Sequence, residues 1–219
     1  MWHIFPALFL TLPLAATPKT PAPPSTPAAA AKPAAVPDAK SAEVVAKVQH
    51  YYRTINKLEA KFKQTYTKTV FGKKSSSEGK LYLAKPAKRR WDYKIPDVKF
   101  FISDGKVLWA YEKANQQAFR RDLKDELLPV AVSFLFGQGE LSKDFEASPD
   151  PGKYGQKTDV VLKLVPRKPT AQYKHLWLVV DPTDFHVKES IIQEASDNLN
   201  HFKYWDIRLN AETHFEDKH

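Results

Sequence analysis

The stretch from Gly79 to Glu112 constrains the fold more than any other part of the chain. Apolar and polar residues alternate along it, which is typical of strands with one face in a core. Lys85-Pro86 and Ile95-Pro96-Asp97 interrupt the alternation, because proline cannot donate a hydrogen bond to a strand ladder. Asp104-Gly105 predicts a hairpin with a type I′ turn, in which both residues take positive φ. The stretch therefore predicts two consecutive antiparallel hairpins with many aromatic side chains.

The residues before this stretch predict a helix and then a strand. From Ser41, which can cap a helix, to about Lys57, apolar residues recur at three- and four-residue spacing. From Leu58 to Tyr66 the period changes to two, which indicates a strand with one solvated face. The segment from Gly72 to Glu78 (GKKSSSE) is entirely polar or glycine, and we predict a loop there.

The second half of the chain reads as a meander of short strands separated by proline, glycine and aspartate turns. The predicted strands cover Gln117 to Arg121, Leu141 to Ala147, Asp159 to Val165, His175 to Asp181, Val187 to Glu194 and Phe202 to Leu209. Parallel strands would need helices between them, and the sequence shows no helical pattern between the late strands. We therefore expect antiparallel pairing. We predict an α+β, mainly β domain: one strongly curved sheet of roughly nine or ten strands with two or three helices.

One strongly apolar segment, Pro129 to Gly137 (PVAVSFLFG), does not resemble a strand. Proline at the first position and glycine after the last are typical of a short helix. Every residue between them except Ser133 is apolar, so such a helix must be covered on both sides. A second core helix or a buried strand is one interpretation. A flap that closes over an apolar interior is the other.

The amino-terminal residues predict export. In residues 1–16 the apolar run from Ile4 to Ala16 is too short to span a bilayer and is typical of a secretory signal peptide, although no Lys or Arg precedes it. Residues 17–40 contain seven prolines among Ala, Ser, Thr and Lys, which predicts a disordered, extended linker. Residues 41–219 then form one domain, and we expect a soluble exported protein.

The absence of cysteine excludes disulfides, zinc–thiolate sites, thiol catalysis and a lipid anchor on the protein itself. The sequence also lacks a G-x-S-x-G elbow, a glycine-rich phosphate loop and an H-E-x-x-H motif. None of the seven histidines pairs at metal-ligand spacing, and His214 and His219 lie in a polar carboxyl-terminal segment. We therefore predict no enzyme activity, no metal and no cofactor.

The net charge of +9 is spread along the chain. Its densest cluster contains five basic residues and a second contains two: Lys85, Lys88, Arg89, Arg90 and Lys94, then Arg120 and Arg121. A solvated strand face is one interpretation, and a docking surface for an acidic membrane or an acidic partner is the other. A nucleic-acid partner is not expected, because no recognised binding motif is present.

Large apolar side chains are abundant on the predicted strands. They include Trp91, Trp109, Trp177, Trp205, Tyr82, Tyr93, Tyr111, Tyr204, Phe100 and Phe119. A core between the sheet and the helices is the simplest explanation. A curved sheet of many strands can also enclose more space than its own side chains fill, as in ligand-binding barrels. A carrier for apolar ligands is therefore a hypothesis that the residues alone support.

The order of these motifs resembles the LolA family of periplasmic lipoprotein carriers, over about Ser41 to Leu209. The resemblance rests on the LEAKFKQTY opening, the KP, RW, DG and LW-YE series, the Leu128 to Gly137 element and the L-x-V-D-P turn from Leu178 to Pro182. It implies an incomplete, unclosed antiparallel barrel with a helical lid. It also implies a periplasmic monomer that ferries lipid-modified proteins from an inner-membrane ABC-type releasing complex to an outer-membrane acceptor.

The resemblance also implies roles for individual residues. Lys85 would hydrogen-bond to the lid around Leu127 to Gly137 and hold it shut while the carrier is empty. The acyl cavity would be lined by Leu81, Leu83, Trp91, Tyr93, Phe100, Ile102 and Trp109, and the lid would contain Leu128, Pro129, Val132, Phe134, Leu135 and Phe136. Trp205 is expected in the core or on the outer face. Arg89 stands where the family often has an aromatic residue, so the cavity rim is expected to differ.

Two other functions fit the same predicted fold. The first is a lipid-sensing or scaffold domain that binds acyl groups without transferring them. The second is an enzyme acting on a lipid, which would need a catalytic group at the cavity mouth.

Overall fold

The computed structural model describes residues 39–123 and 139–210. Within these residues the chain forms two α-helices, two short 3₁₀ turns and eleven strands. The helices are α1 (Ala39–Thr54) and α2 (Leu141–Asp144), and the 3₁₀ turns are Thr69–Phe71 and Lys113–Asn115. The strands are β1 (Lys57–Lys68), β2 (Lys73–Ala84), β3 (Lys88–Ile95), β4 (Lys99–Ser103), β5 (Val107–Glu112), β6 (Gln117–Asp122), β7 (Phe145–Pro149), β8 (Val160–Pro166), β9 (Tyr173–Val180), β10 (Val187–Glu194) and β11 (Leu199–Leu209).

All eleven strands belong to one sheet, in the order β6-β5-β4-β3-β2-β1-β11-β10-β9-β8-β7. Every neighbouring pair is antiparallel. β6 and β7 stand at the two ends of this order and do not pair with each other, so the sheet is unclosed. The predicted class, a mainly β domain built on one curved and unclosed antiparallel sheet, is confirmed.

Helix α1 packs on the sheet through residues at three- and four-residue spacing, as its sequence predicts. Val44, Val45, Val48 and Tyr52 are buried. The side chain of Gln49 accepts a hydrogen bond from the backbone N–H of Leu141, at 3.0 Å, and so ties α1 to the start of α2. No helix within residues 39–123 and 139–210 has the length and apolar character needed to cross a lipid bilayer.

Two local predictions are wrong. The polar segment from Gly72 to Glu78 is mostly strand, because β2 begins at Lys73 and pairs with β1 along its whole length. Gly72 forms the turn with φ +61°, and the serines that follow pair with β1. The Ser76 hydroxyl also donates to the carbonyl oxygen of Gln64, at 3.3 Å. Leu141 to Asp144 forms one helical turn instead of strand, and β7 begins only at Phe145.

The Asp104-Gly105 hairpin forms between β4 and β5, but its turn is not type I′. Only Gly105 takes a positive φ, at +94°. The Asp104 carboxylate accepts hydrogen bonds from the backbone N–H groups of Lys106 and Val107, both at 2.8 Å. The aspartate side chain therefore shapes this turn as an Asx turn, and its own backbone does not enter the left-handed region.

The two faces of the sheet have separate cores. We call the face covered by α1 the inner face; on β1 it carries Leu58, Ala60 and Phe62. The outer face of β8, β9 and β10 carries a second cluster, formed by Val161, Trp177, Val179 and Ile191 with Tyr154 and Leu199 packed against it. Strand β9 is consequently buried on both faces over most of its length.

Candidate functional site

The inner face continues from β1 across the strands that follow it. Cross-strand pairing places Ala60 beside Leu81, Leu81 beside Trp91, and Trp91 beside Phe101. A parallel row joins Leu58, Leu83 and Arg89. Because directly paired residues project from the same side of a sheet, these side chains form one surface.

Aromatic rings occupy the middle of this surface. The Phe62 ring lies 4.9 Å from the ring of Trp91 and 4.9 Å from the ring of Tyr93, in edge-to-face contacts. The Phe202 ring, from β11, lies 5.2 Å from that of Trp91. Tyr93 and Phe62 are almost fully buried, whereas Trp91 is only partly buried. Trp91 is thus the member of the cluster nearest to solvent.

A glycine makes room for this cluster. Gly79 pairs with Phe62 on β1 and with Tyr93 on β3, and it carries no side chain between them. A β-carbon at Gly79 would collide with the backbone oxygen of Asp92 and approach Cζ of Phe62 to 2.9 Å. The Phe62 ring therefore occupies the space that any other residue at position 79 would fill.

Helix α1 covers the apolar end of the inner face, and a small cavity lies beneath its last turn. The cavity has room for about one water molecule. Its lining is almost entirely apolar and comes from α1, β1, β2, β10 and β11: Tyr52, Leu58, Ala60, Leu81, Leu83, Val187, Tyr204 and Ile207. Separation of α1 from the sheet would enlarge this space without disturbing a strand pair.

Lys85 fastens the carboxyl end of α1. Its Nζ donates to the carbonyl oxygen of Tyr52 at 2.9 Å and to that of Arg53 at 2.7 Å. These are carbonyls of the last helical turn, which have no partner within the helix. The ammonium also interacts favourably with the negative end of the helix dipole. Partial burial lowers the pKa of Lys85 from its usual value.

Tyr52 ties the same helical turn to the sheet from the other side. Its hydroxyl oxygen accepts a hydrogen bond from the backbone N–H of Val187, at 3.1 Å. Burial raises the pKa of this phenol well above its ordinary value, so it stays neutral. The ring is 2 % exposed and packs edge-to-face against Tyr51 at 5.1 Å. One helical turn is therefore held at Lys85 and at Val187.

Arg89 brings a cation onto this largely apolar face. It is 7 % exposed and pairs with Leu83 on one side and Ser103 on the other. Burial lowers the pKa of its guanidinium to about 10. Arg89, which the sequence predicts to alter the cavity rim, therefore lies next to Leu83, a residue that lines the cavity.

The opposite end of the inner face is polar. Gln64 donates from Nε2 to Oδ1 of Asn200 at 2.8 Å, and the Tyr66 hydroxyl donates to Oε2 of Glu194 at 3.0 Å. Burial and the neighbouring Glu194 raise the pKa of Tyr66. On β1 the apolar run of the inner face therefore ends at Phe62, and the polar end begins at Gln64.

The structure separates the predicted cavity residues into two groups. It brings Leu81, Leu83, Trp91 and Tyr93 together on the inner face. The other three, Phe100, Ile102 and Trp109, lie on the outer face. Their placement in the cavity is wrong, because Phe101 pairs with Trp91 and its two neighbours in β4 must project the other way.

The predicted lid falls outside the described residues. This applies to Leu128, Pro129, Val132, Phe134, Leu135 and Phe136, and to the whole Leu127 to Gly137 partner segment predicted for Lys85. The partners that the structure gives for the Lys85 ammonium are carbonyls of α1. Trp205 lies on the outer face and is 43 % exposed.

Sequence reasoning missed one cavity residue of α1, Tyr52, and several residues of the inner face: Ala60, Phe62, Phe101, Phe202, Tyr204 and Ile207. Phe62 and Ala60 could have been predicted from the sequence, since they alternate with Lys61 and Lys63 on β1. Ile207 could not have been predicted in this way, because the pairing register between β1 and β11 shifts near Lys61.

One group of potential metal ligands occurs among the described residues, at the β9–β10 turn. The ligand atoms of Asp181, Asp184 and His186 lie within 4.8 Å of one another. The carboxylates already accept turn hydrogen bonds: Asp181 accepts from the N–H of Thr183 at 2.8 Å, and Asp184 accepts from that of His186 at 3.1 Å. The hydrogen bonds of the turn therefore explain why these three side chains lie close together.

Comparisons with known proteins agree with the motifs on the inner face. The family model described as outer membrane lipoprotein carrier protein LolA matches residues 53–216. An outer-membrane lipoprotein carrier protein of Alkalilimnicola ehrlichii is 28 % identical over 160 residues, 71 % of each chain. One from Chromobacterium violaceum is 32 % identical over 114 residues, 52 % of this chain and 54 % of that protein. The match thus spans about half the length of some curated relatives.

Solved structures align with the chain at low sequence identity and with TM-scores under 0.5. LprF from Mycobacterium bovis aligns with a TM-score of 0.49 and 8 % identity, over 81 % of this chain and 96 % of that one. A LolA superfamily protein from Nitrosomonas europaea aligns with a TM-score of 0.41 and 12 % identity, over 80 % and 94 %. The family assignment rests on the sequence match, which covers most of the chain and includes every strand of the inner face. The chain belongs to the LolA family of outer-membrane lipoprotein carrier proteins.

Proposed function

We propose that this protein is a periplasmic carrier that binds the acyl chains of lipoproteins between α1 and the inner face. It ferries them from the inner membrane to the outer membrane. The observation that carries the proposal is the last turn of α1, which covers an apolar surface and is held there by the Lys85 ammonium.

The energetics of transport explain why such a surface is needed. Burying one methylene group contributes about 0.8 kcal/mol, so two or three acyl chains exposed to water cost tens of kcal/mol. A carrier moves the chains from a bilayer into another apolar environment with a small net change. Direction must then come from the partners. We propose an ATP-driven inner-membrane releasing complex as donor and an outer-membrane protein as acceptor.

We propose that four of the predicted residues contact the chains. When α1 moves away, Leu81 and Leu83 become the floor of the opened space, since they already line the cavity beneath Tyr52. Trp91 and Tyr93 extend that floor toward Phe62. The Leu128 to Phe136 segment is the proposed second part of the lid.

Mass spectrometry of the protein purified from the envelope of its own cells tests the binding step. Diacylated or triacylated lipoproteins should copurify with it in stoichiometric amounts. Phospholipid or free fatty acid alone would contradict a lipoprotein cargo.

A transfer assay separates a carrier from a lipid sensor on the same fold. The loaded protein is mixed with outer-membrane vesicles, and labelled lipoprotein is followed from the soluble fraction into the vesicles. A carrier releases its cargo to these vesicles and is recovered empty. A sensor keeps it, and retention in the presence of acceptor membranes would overturn the carrier proposal.

A further inference from the structure

The outer face of β2 to β6 carries a row of side chains that crosses five strands. Direct cross-strand pairing joins Tyr82 to Arg90, Arg90 to Ile102, Ile102 to Trp109, and Trp109 to Arg120. Phe100 and Tyr111, which pair with each other, form a second row beside it. We call these seven residues the outer aromatic patch. Five strands at about 4.8 Å spacing make it about 19 Å wide.

The patch is exposed although most of its residues are large and apolar. Trp109 is 51 % exposed, Ile102 37 % and Tyr111 36 %. The Phe100 and Tyr111 rings stack 6.1 Å apart, at an interplanar angle of 13°. Such a contiguous group on a soluble domain is typical of an interaction surface, whereas single exposed apolar residues are ordinary.

Two arginines lie over the aromatic rings of the patch. The guanidinium of Arg90 is 5.9 Å from the ring centre of Tyr82 and 5.8 Å from that of Phe100. That of Arg120 is 5.8 Å from the ring centre of Trp109. Each guanidinium also forms an ion pair, Arg90 with Asp92 at 2.7 Å and Arg120 with Asp122 at 3.0 Å. The patch therefore presents apolar rings beside two arginines whose charge is partly balanced.

The other half of the outer face has a different structure. There Trp177 is 1 % exposed, because Tyr154 packs against it at 5.5 Å and Lys153 lies 4.0 Å above its ring. The Trp177 indole N–H donates to the Asp150 carboxylate at 2.8 Å. The connection between β7 and β8 thus covers that half of the outer face. Within residues 73–123, the connections between β2 and β6 provide no such cover for the outer aromatic patch.

The half of the sheet that carries the patch has a positive net charge, and the half from β7 to β11 does not. Residues 73–123, which include β2 to β6, contain 13 Lys and Arg against 6 Asp and Glu. Residues 139–210 contain 10 Lys and Arg against 11 Asp and Glu. Residues 39–72, which include α1 and β1, contain 7 Lys and Arg against 2 Asp and Glu. The net charge is therefore +7 for β2 to β6, +5 for α1 and β1, and −1 for β7 to β11, so the half with the patch attracts an anionic surface more strongly than the half from β7 to β11.

We propose that the outer aromatic patch docks the protein on the surface of an anionic lipid bilayer. Trp109, Ile102 and Tyr111 enter the headgroup region, where amphipathic rings are most stable. The exposed Arg120 then exchanges the Asp122 carboxylate for anionic headgroups, while Arg90 stays paired with Asp92. The charge of the half with the patch orients the molecule as it approaches. The inner face stays directed away from the membrane plane. This docking does not depend on the proposed cargo.

Vesicle binding tests the proposal in the absence of any lipoprotein. Residues 17–219, which keep every described residue, are mixed with vesicles of 70 % phosphatidylcholine and 30 % phosphatidylglycerol, and with pure phosphatidylcholine vesicles. Residues 1–16 are omitted because their apolar run would itself enter a membrane. Sedimentation should show binding to the anionic vesicles that weakens with salt, and much less binding to the neutral ones.

The variants have closely matched controls. Trp109→Ser should weaken binding about tenfold or more, because up to half of a large indole loses its apolar contact. Arg120→Gln should weaken it about fivefold, the factor for one basic residue near an anionic surface. Trp205→Ser and Lys203→Gln are the controls: Trp205 is 43 % exposed and the Lys203 side chain 55 %, on the outer face of β11. Neither control should change binding.

Several results would overturn the proposal. These are equal losses in Trp109→Ser and Trp205→Ser, equal binding to neutral and anionic vesicles, or no binding to either vesicle by a folded protein. Circular dichroism and thermal unfolding of each variant establish that the protein is folded, which is expected because all four side chains lie on the surface. Binding of an acidic envelope protein through Trp109, without vesicle binding, would assign the patch to a protein partner instead.

Discussion

The Nζ atom of Lys85 lies 2.7 Å from the carbonyl oxygen of Arg53. The lysine stands at the end of β2 and the carbonyl at the end of α1, so one hydrogen bond joins the sheet to the helix that covers it. The backbone N–H of Lys85 also donates to Asn56, at 2.9 Å, and fixes the position from which the side chain reaches.

Lys85→Leu should convert the carrier into a trap. The substitution removes hydrogen bonds worth about 1.5–3 kcal/mol from the closed, empty form only, so opening becomes easier. It also adds an apolar side chain beside the cavity, which favours retention of acyl chains. The variant should therefore load lipoprotein normally and release it slowly to acceptor membranes. Release is timed for both proteins with labelled lipoprotein.

Lys73→Leu is the matched control for this experiment, since Lys73 is an exposed lysine at the other end of the same strand. Its release rate should equal that of the wild type. Equal rates for wild type and Lys85→Leu would show that Lys85 fixes α1 without controlling the cargo.

Trp91→Asp should abolish acyl binding. An unpaired carboxylate in an apolar site is costly, and this side chain lies between Phe62 and Phe202. Trp205→Asp places the same charge on the outer face and should leave binding intact. Binding is measured by displacement of a fluorescent fatty acid. A folded Trp91→Asp protein that still binds the probe would place the acyl site elsewhere.

Gly79→Ala should destabilise the domain by about 1–3 kcal/mol, the usual cost of overpacking. The added methyl group meets the Asp92 backbone and the Phe62 ring, and neither can move freely inside the sheet. Denaturant unfolding measures the difference. Ser75→Ala, an exposed change in the same strand, should alter stability by no more than about 0.5 kcal/mol. Equal stability of the two variants would mean that Phe62 has space to shift.

Stability should fall as the pH drops below the ordinary histidine range. Burial, assisted by Lys163, Lys153 and Lys174, lowers the pKa of His175 in the folded protein from 6.5. The unfolded chain then binds the proton more tightly, so this contribution is complete above pH 6.5 and is lost as the pH falls through the lowered pKa.

The measurement compares denaturant unfolding at pH 7 and pH 5. The decrease should be smaller for His175→Gln than for wild type, while His50→Gln, at an exposed position of α1, should behave as wild type. An unchanged pH dependence in His175→Gln would assign the effect to other groups.

The sequence predicted the strands of the inner face well where only one face carries apolar residues. Leu58, Ala60 and Phe62 alternate with charged residues, so the phase of β1 is unambiguous. In β4 two adjacent phenylalanines, Phe100 and Phe101, fit either phase. Assigning Phe100 to the inner face also assigned Ile102 and its partner Trp109 to that face, which is wrong. A one-residue shift moves every side chain of a strand to the opposite face of the sheet.

The partner of Lys85 was beyond sequence reasoning for a different reason. Every helix ends in carbonyls without a partner in the helix, so nothing marks those of Tyr52 and Arg53 as the ones that a distant lysine will reach. Their position depends on how α1 packs on β1 and β2, which is a property of the folded sheet. The resemblance indicated that Lys85 contacts a helical cover, and only the structure gives α1 as its partner.

The β1–β11 ladder has an effect on folding. It joins the first strand of the sheet to the last one along the chain, and it lies between two meanders of sequential neighbours. Each meander can form from local contacts, but the ladder between them must wait until β11 has been made. Until then, the strand edges of the two meanders that β11 will join are unpaired, and they can pair with other chains. The last strand to be synthesised therefore completes the sheet and protects the nascent domain from aggregation.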